Sequence, residues 1–127
     1  MRWFGKTRQT EIWDESISSP IGDIEAAHKI RDICRSAAGS AEKVGRSSDV
    51  ANKKIRNDVE RYQRAAKAAM EIAMKISDEL MRDAAVREIV ELCLKANDLK
   101  TAQPLFRAIQ AASIRENVLN DHPVLRQ

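Results

Sequence analysis

Apolar residues recur along this chain every three or four positions, with polar ones between them, and that spacing is helical. The first series reads Ile24, Ala27, Ile30, Cys34, Ala37, Ala41 and Val44. Ahead of it, Ser19, Pro20 and Asp23 supply a cap, a first-turn proline and a charge suited to the positive end of the helix dipole. A helix is therefore expected over about 20–44. Gly45, followed by Arg46, Ser47, Ser48 and Asp49, reads as a stop and a fresh start.

The second series, Ile55, Val59, Tyr62, Ala66, Ala69, Ala73, Ile76 and Leu80, alternates spacings of four and three, a coiled-coil period. Two such stripes on either side of a turn predict an antiparallel helical hairpin over 20–80. Its seam is lined by Tyr62, Ala66, Ala69, Ala73 and Ile76, small enough for close backbone approach, and Gly39 in the run SAAGSA is expected to help a partner helix come near. Ser77, Asp78, Glu79 and Asp83 predict a break somewhere in 77–83. Beyond it, Val86, Ile89, Val90, Cys93 and Leu94 form one helix to about Ala96, and Asn97 and Asp98 suit a stop and restart. Ala102, Leu105, Phe106, Ile109 and Ala112 mark a last helix, and Pro123 ends regular structure. The expected fold is all-α, a bundle of four or five helices in a single domain, with a shorter helix pair over 82–118.

Three of the five aromatic residues, Trp3, Phe4 and Trp13, stand in the first thirteen positions. Two uses fit them. An alanine-lined hairpin leaves grooves, and a flap over 1–18 carrying Trp13 and Ile17 fills them. Alternatively Trp3, Phe4, Trp13 and Ile17 dock on a partner or on a second copy, where aromatic side chains are typical anchors. As a membrane anchor so short a segment binds only marginally.

Charge adds one feature. The net charge of +3 is modest, but Lys53, Lys54, Arg56, Arg61, Arg64 and Lys67 form a basic run on the second helix. Such a run can lie along phosphates, so a nucleic-acid-associated regulator is the alternative function. Asp58 and Glu60 interrupt it. Cys34 and Cys93 fall on apolar stripes and read as reduced, buried thiols of a cytoplasmic protein. No run approaches the roughly 18 apolar residues of a membrane span, and residues 1–20 lack the apolar core of a secretory signal.

Catalytic chemistry is sparse in the text. Glu25 and His28 have a metal-ligand spacing, but the second copy that a dinuclear helical site requires is missing. There is no glycine-rich phosphate loop and no nucleophile elbow. No metal, cofactor or catalytic residue is expected.

The segment VREIVELCLKANDLKTAQPLFRAI resembles one tetratricopeptide-type helix pair. Ala102, Phe106 and Ile109 stand at the small, aromatic and small positions of that motif's second helix, and Asn97 and Asp98 fall at its inter-helix turn. Val86 and Cys93 replace the aromatics of its first helix, and Pro104 lies inside the second. The resemblance implies a protein-binding scaffold. Together these readings favour a non-catalytic interaction module, an adaptor or assembly factor working through helix faces and able to form a homo-oligomer.

Overall fold

The computed structural model describes residues 11–14, 21–47 and 52–126. The protein is all-α. Among the described residues there are five α-helices and no strand: α1 Asp23–Arg46, α2 Lys53–Ala73, α3 Glu79–Lys95, α4 Leu99–Ala108 and α5 Ala112–Asp121. Short 3-10 turns at Ile12–Asp14 and Pro123–Arg126 stand before and after them.

Helix α1 carries Asp23 and Glu25 in its first turn and Lys43 and Arg46 in its last, each sign at the favourable end of the dipole. It buries Ala26, Ile30, Ile33, Cys34, Ala37, Ser40, Ala41 and Val44. Ile24, expected on that stripe, is 66% exposed. The reason is helical geometry: six residues at 3.6 per turn leave Ile24 roughly 120° round the axis from Ile30.

Helix α2 opens on Asn52, whose side chain accepts the Lys54 amide at 2.8 Å. It buries Tyr62, Ala65, Ala66, Ala69, Ile72 and Ala73, and Ile76 is buried in the turn that follows. All five expected seam residues are thus inside the chain. The helix stops at Ala73, however, and Leu80 does not continue the stripe but is 62% exposed. Two carboxylates enforce that stop. Asp78 caps α3 by accepting the Met81 amide at 2.8 Å. Asp23, at the start of α1, accepts the amides of Ser77 and Asp78 at 2.9 and 3.0 Å and the Ser77 hydroxyl at 3.3 Å. Those backbone donors hold the Asp23 carboxyl below its ordinary range.

The ties along α1 show how the helices run. Asp23 meets the segment before α3, Arg31 lies 3.7 Å from Glu88, and Gly45 faces Lys95. Helix α3 therefore returns parallel to α1, and α2 is antiparallel to both. Gly45 corrects the expectation of a stop: α1 runs through it to Arg46. A Cβ at position 45 would overlap the carbonyl oxygen of Lys95, at the end of α3. Gly39, expected to admit a close partner helix, is exposed and would meet nothing within 4 Å. The glycine that permits close approach is the one read as a terminator.

Helix α3 ends as the sequence suggests. Asn97 takes the left-handed conformation with φ 59°. Its amide donates to Leu94, and the Asp98 amide reaches back to Cys93 at 2.9 Å, closing the helix end. Asp98 then caps α4 through the Thr101 amide at 3.2 Å, while its other oxygen accepts the Tyr62 hydroxyl of α2 at 2.6 Å. Helix α4 continues through Pro104, which removes one intrahelical bond. Both Pro104 and Lys100, whose carbonyl loses that bond, are exposed, where water can take it.

The expected last helix, continuing past Ile109, is instead two. Ile109 is extended, and the buried carboxylate of Asp83 on α3 accepts the amides of Gln110 and Ala111 at 3.2 and 2.9 Å. Asp83, read from the sequence as a marker of the break in 77–83, lies inside α3 and holds across space the two residues that lead into α5, where Ala111 offers no side-chain oxygen. Helix α5 ends at Asp121, and Pro123, expected to end regular structure, instead opens the 3-10 turn, which buries Leu125 between α4 and α5.

The two helical glycines give opposite expectations. Gly45→Ala should destabilise by about 1–3 kcal/mol through overpacking, and Gly39→Ala should stabilise by about 0.5–1 kcal/mol. Urea unfolding of both variants checks this; equal effects at the two positions would refute the assigned contact.

Candidate functional site

The opening aromatics raise the first question, and Trp13 answers its part. The 3-10 turn Ile12–Asp14 lies against α1 and α2, and Trp13 is only 7% exposed. Arg61 of α2 stacks over its ring at 5.2 Å from the centroid. The same guanidinium forks onto Glu11 at 3.0 and 3.3 Å and donates to the Ser40 hydroxyl at 2.7 Å. Ser40, buried on α1, donates in turn to Asp58 of α2 at 2.9 Å. One arginine thus holds the N-terminal turn, α1 and α2 together. The Trp13 indole N–H has no acceptor among the described residues. Trp3, Phe4 and Ile17 lie outside the described residues.

The apolar stripe that suggested partner helices is consumed within the chain. Ala65, Ala66, Ala69 and Ala73 are buried, and α2 packs on α1 and α3, so the period records an internal seam. The basic run is divided. Lys53, Lys54, Arg56, Arg64 and Lys67 are exposed, whereas Arg61 is engaged as described. Glu60 and Glu71 share the outward face with Lys53 and Lys67, so positive charge is diluted there.

Cys34 and Cys93 are free and buried. Burial pushes the Cys34 thiol up to about 12, with Glu88 adding to it, and burial pushes Cys93 up to about 11. Neither thiol is poised to attack an electrophile near neutral pH. Burial and the bond to Asp98 likewise raise the Tyr62 hydroxyl, which serves as a donor. Glu25 and His28 are both exposed, and no group of three or more potential metal ligands occurs among the described residues. No helix among them is long and apolar enough to cross a membrane.

Three of the four exposed large apolar residues among the described residues, all but Val124, lie at one end of the bundle. The start of α1, the end of α2 and the start of α3 come together there. Ile24, Met74 and Leu80 are 66%, 71% and 62% exposed. Ile21 and Met81, both half-buried, line an open groove with Ile24 between α1 and α3. Sequence periodicity missed this surface because Ile24 and Leu80 fit a three-four spacing and were assigned to the core. The angular drift of Ile24 and the capping aspartate before Leu80 were the signals available. Ala102, Phe106 and Ile109, the positions carrying the tetratricopeptide resemblance, are buried and therefore structural.

Comparison with protein-family models, curated proteins and solved structures returns no match.

If Trp13 is a core residue, Trp13→Ala should lower the free energy of unfolding by about 3 kcal/mol. Chemical denaturation measures it. A loss below about 0.5 kcal/mol, the range of ordinary surface changes, would return Trp13 to the role of a docking residue.

Proposed function

We propose that the protein is a non-catalytic interaction module that binds another protein, or a second copy of itself, through the end of the bundle formed by α1, α2 and α3. The observation that carries this reading is an open groove lined by Ile21, Ile24 and Met81, with Met74 at the end of α2 and Leu80 at the start of α3, each more than 60% exposed like Ile24, at the same end of the bundle. Isolated exposed leucines need no explanation, but several from three helices at one end mark a contact surface. The surrounding carboxylates support it. Asp23 and Asp78 are committed to backbone amides and position the surface, while exposed Glu25 and His28 give the groove a polar rim. The antiparallel packing of α3 and α4 is also the arrangement that the tetratricopeptide resemblance implies for a protein-binding scaffold.

The nucleic-acid reading retains one supporting observation, the five exposed cations of α2. A salt titration against generic duplex separates the two: absence of binding at low salt removes it.

The interaction reading is tested with the double variant Ile24→Glu, Leu80→Glu, both positions being exposed. Sedimentation of purified protein and in-cell crosslinking are compared with wild type, and circular dichroism verifies the fold. The reading expects a self-associated species or a crosslinked protein partner present with wild type and lost with the variant. Identical species from both proteins would overturn it.

A further inference from the structure

We infer that the C-terminal part of the fold carries a second, separate binding site, a cationic cleft that takes an acidic peptide segment through one apolar side chain and its flanking carboxylates. The cleft, of about 530 Å³, opens where α4, α5 and the Pro123–Arg126 turn meet. Its rim carries Arg107, Arg115 and Arg126, one from each element, all exposed. Its floor is Phe106, Leu119 and Leu125.

Three features of this cleft select the ligand. First, no carboxylate pairs with any of the three arginines among the described residues. Glu116 follows Arg115 but does not line the cleft, and Asp121 pairs with Arg87 on the other side of α5. Arg31, Arg61, Arg82 and Arg87 are matched, with Glu88, Glu11, Glu79 and Glu91, while Arg35, Arg46 and Arg56 are also without an ion pair among the described residues but do not converge on one opening with an apolar floor. Three unmatched guanidinium groups around one opening make a local positive field that attracts an anion.

Second, Arg115 is held. Its guanidinium lies over the Phe106 ring, 5.6 Å from the centroid. With no hydrogen bond or ion pair of its own among the described residues, that guanidinium has its N–H donors available, and their fork matches a carboxylate. Third, the floor is apolar and the volume far exceeds what a small inorganic anion fills, so the ligand needs an apolar group between its charges. Single-stranded nucleic acid fits less well. Stacking a base requires an open aromatic face, and Phe106 is 5% exposed with Arg115 over it. An acidic peptide with one leucine or phenylalanine supplies both parts.

The site is independent of the apolar end, since it is built from α4, α5 and the last turn. The probe is a fluorescein-labelled five-residue peptide, Asp-Glu-Leu-Glu-Asp, titrated by anisotropy at low salt. Saturable binding is expected. It should weaken as salt rises, by about tenfold or more with Arg107→Gln, Arg126→Gln, and similarly when alanine replaces the peptide leucine. That double variant spares the Arg115–Phe106 stack, and an unchanged melting temperature verifies its fold. Peptide-resolved chemical shifts at Leu119 and Leu125 give a second readout of the same site. The proposal is overturned by no saturable binding at millimolar peptide. It is equally overturned by affinity unaffected by the arginine substitutions, or by an oligonucleotide or inorganic phosphate binding as well as the peptide.

Discussion

Close approach between helices whose facing side chains stop at Cβ is the constraint on which the rest of this structure depends. Ala37 and Ala41 on α1, and Ala65, Ala66, Ala69 and Ala73 on α2, are almost wholly buried. Gly45 extends the same principle to α3, meeting the Lys95 carbonyl with no side chain between. Packing of this kind draws on many weak dispersion contacts and on apolar area removed from water. It supplies little of the knob-and-hole relief that fixes register in a leucine-rich bundle. Bulk enters where α3 joins, through Ile30 and Ile33 on α1 and Ile89 and Leu92 on α3, and where Trp13 covers the hairpin from outside.

Register therefore falls to polar ties between elements that are distant in sequence. Asp23 locks the start of α1 to the turn before α3, Asp98 links Tyr62 of α2 to the start of α4, and Asp83 sets the start of α5. Arg61 closes the hairpin with Ser40 and fastens the N-terminal turn. Each joins a charged or polar side chain to a polar group of another element, and each acts at one position along the helix axis. A carboxylate on backbone amides at a helix start is well suited to this, because it satisfies free donors and complements the dipole together.

How far the sequence revealed this follows from which interactions are local. The all-α fold, the hairpin, the seam from Tyr62 to Ile76 and the turn at Asn97–Asp98 were legible because helical period and capping are properties of neighbouring residues. The end of α2, the division of α4 from α5 and the role of Gly45 were not, because Asp23, Asp83 and Lys95 act from more than twenty residues away. Glycine before a serine pair looks like a terminator whether or not a distant carbonyl needs the space. The exposed end was hidden by the same cause: Ile24 and Leu80 fit a linear spacing and fail only against the actual helix phase and boundary. The C-terminal arginines, spread over positions 107, 115 and 126, become neighbours only once α4, α5 and the final turn fold together.

The central claim is that the alanine-lined seam is held as tightly as the large-residue core of α3 despite its small side chains. Native-state hydrogen exchange across α2 tests it most directly. The account predicts that the amides of residues 62–73 exchange only through global unfolding, with protection equal to that of residues 85–93 in α3. Exchange through local opening in 62–73, while α3 stays protected, would contradict it.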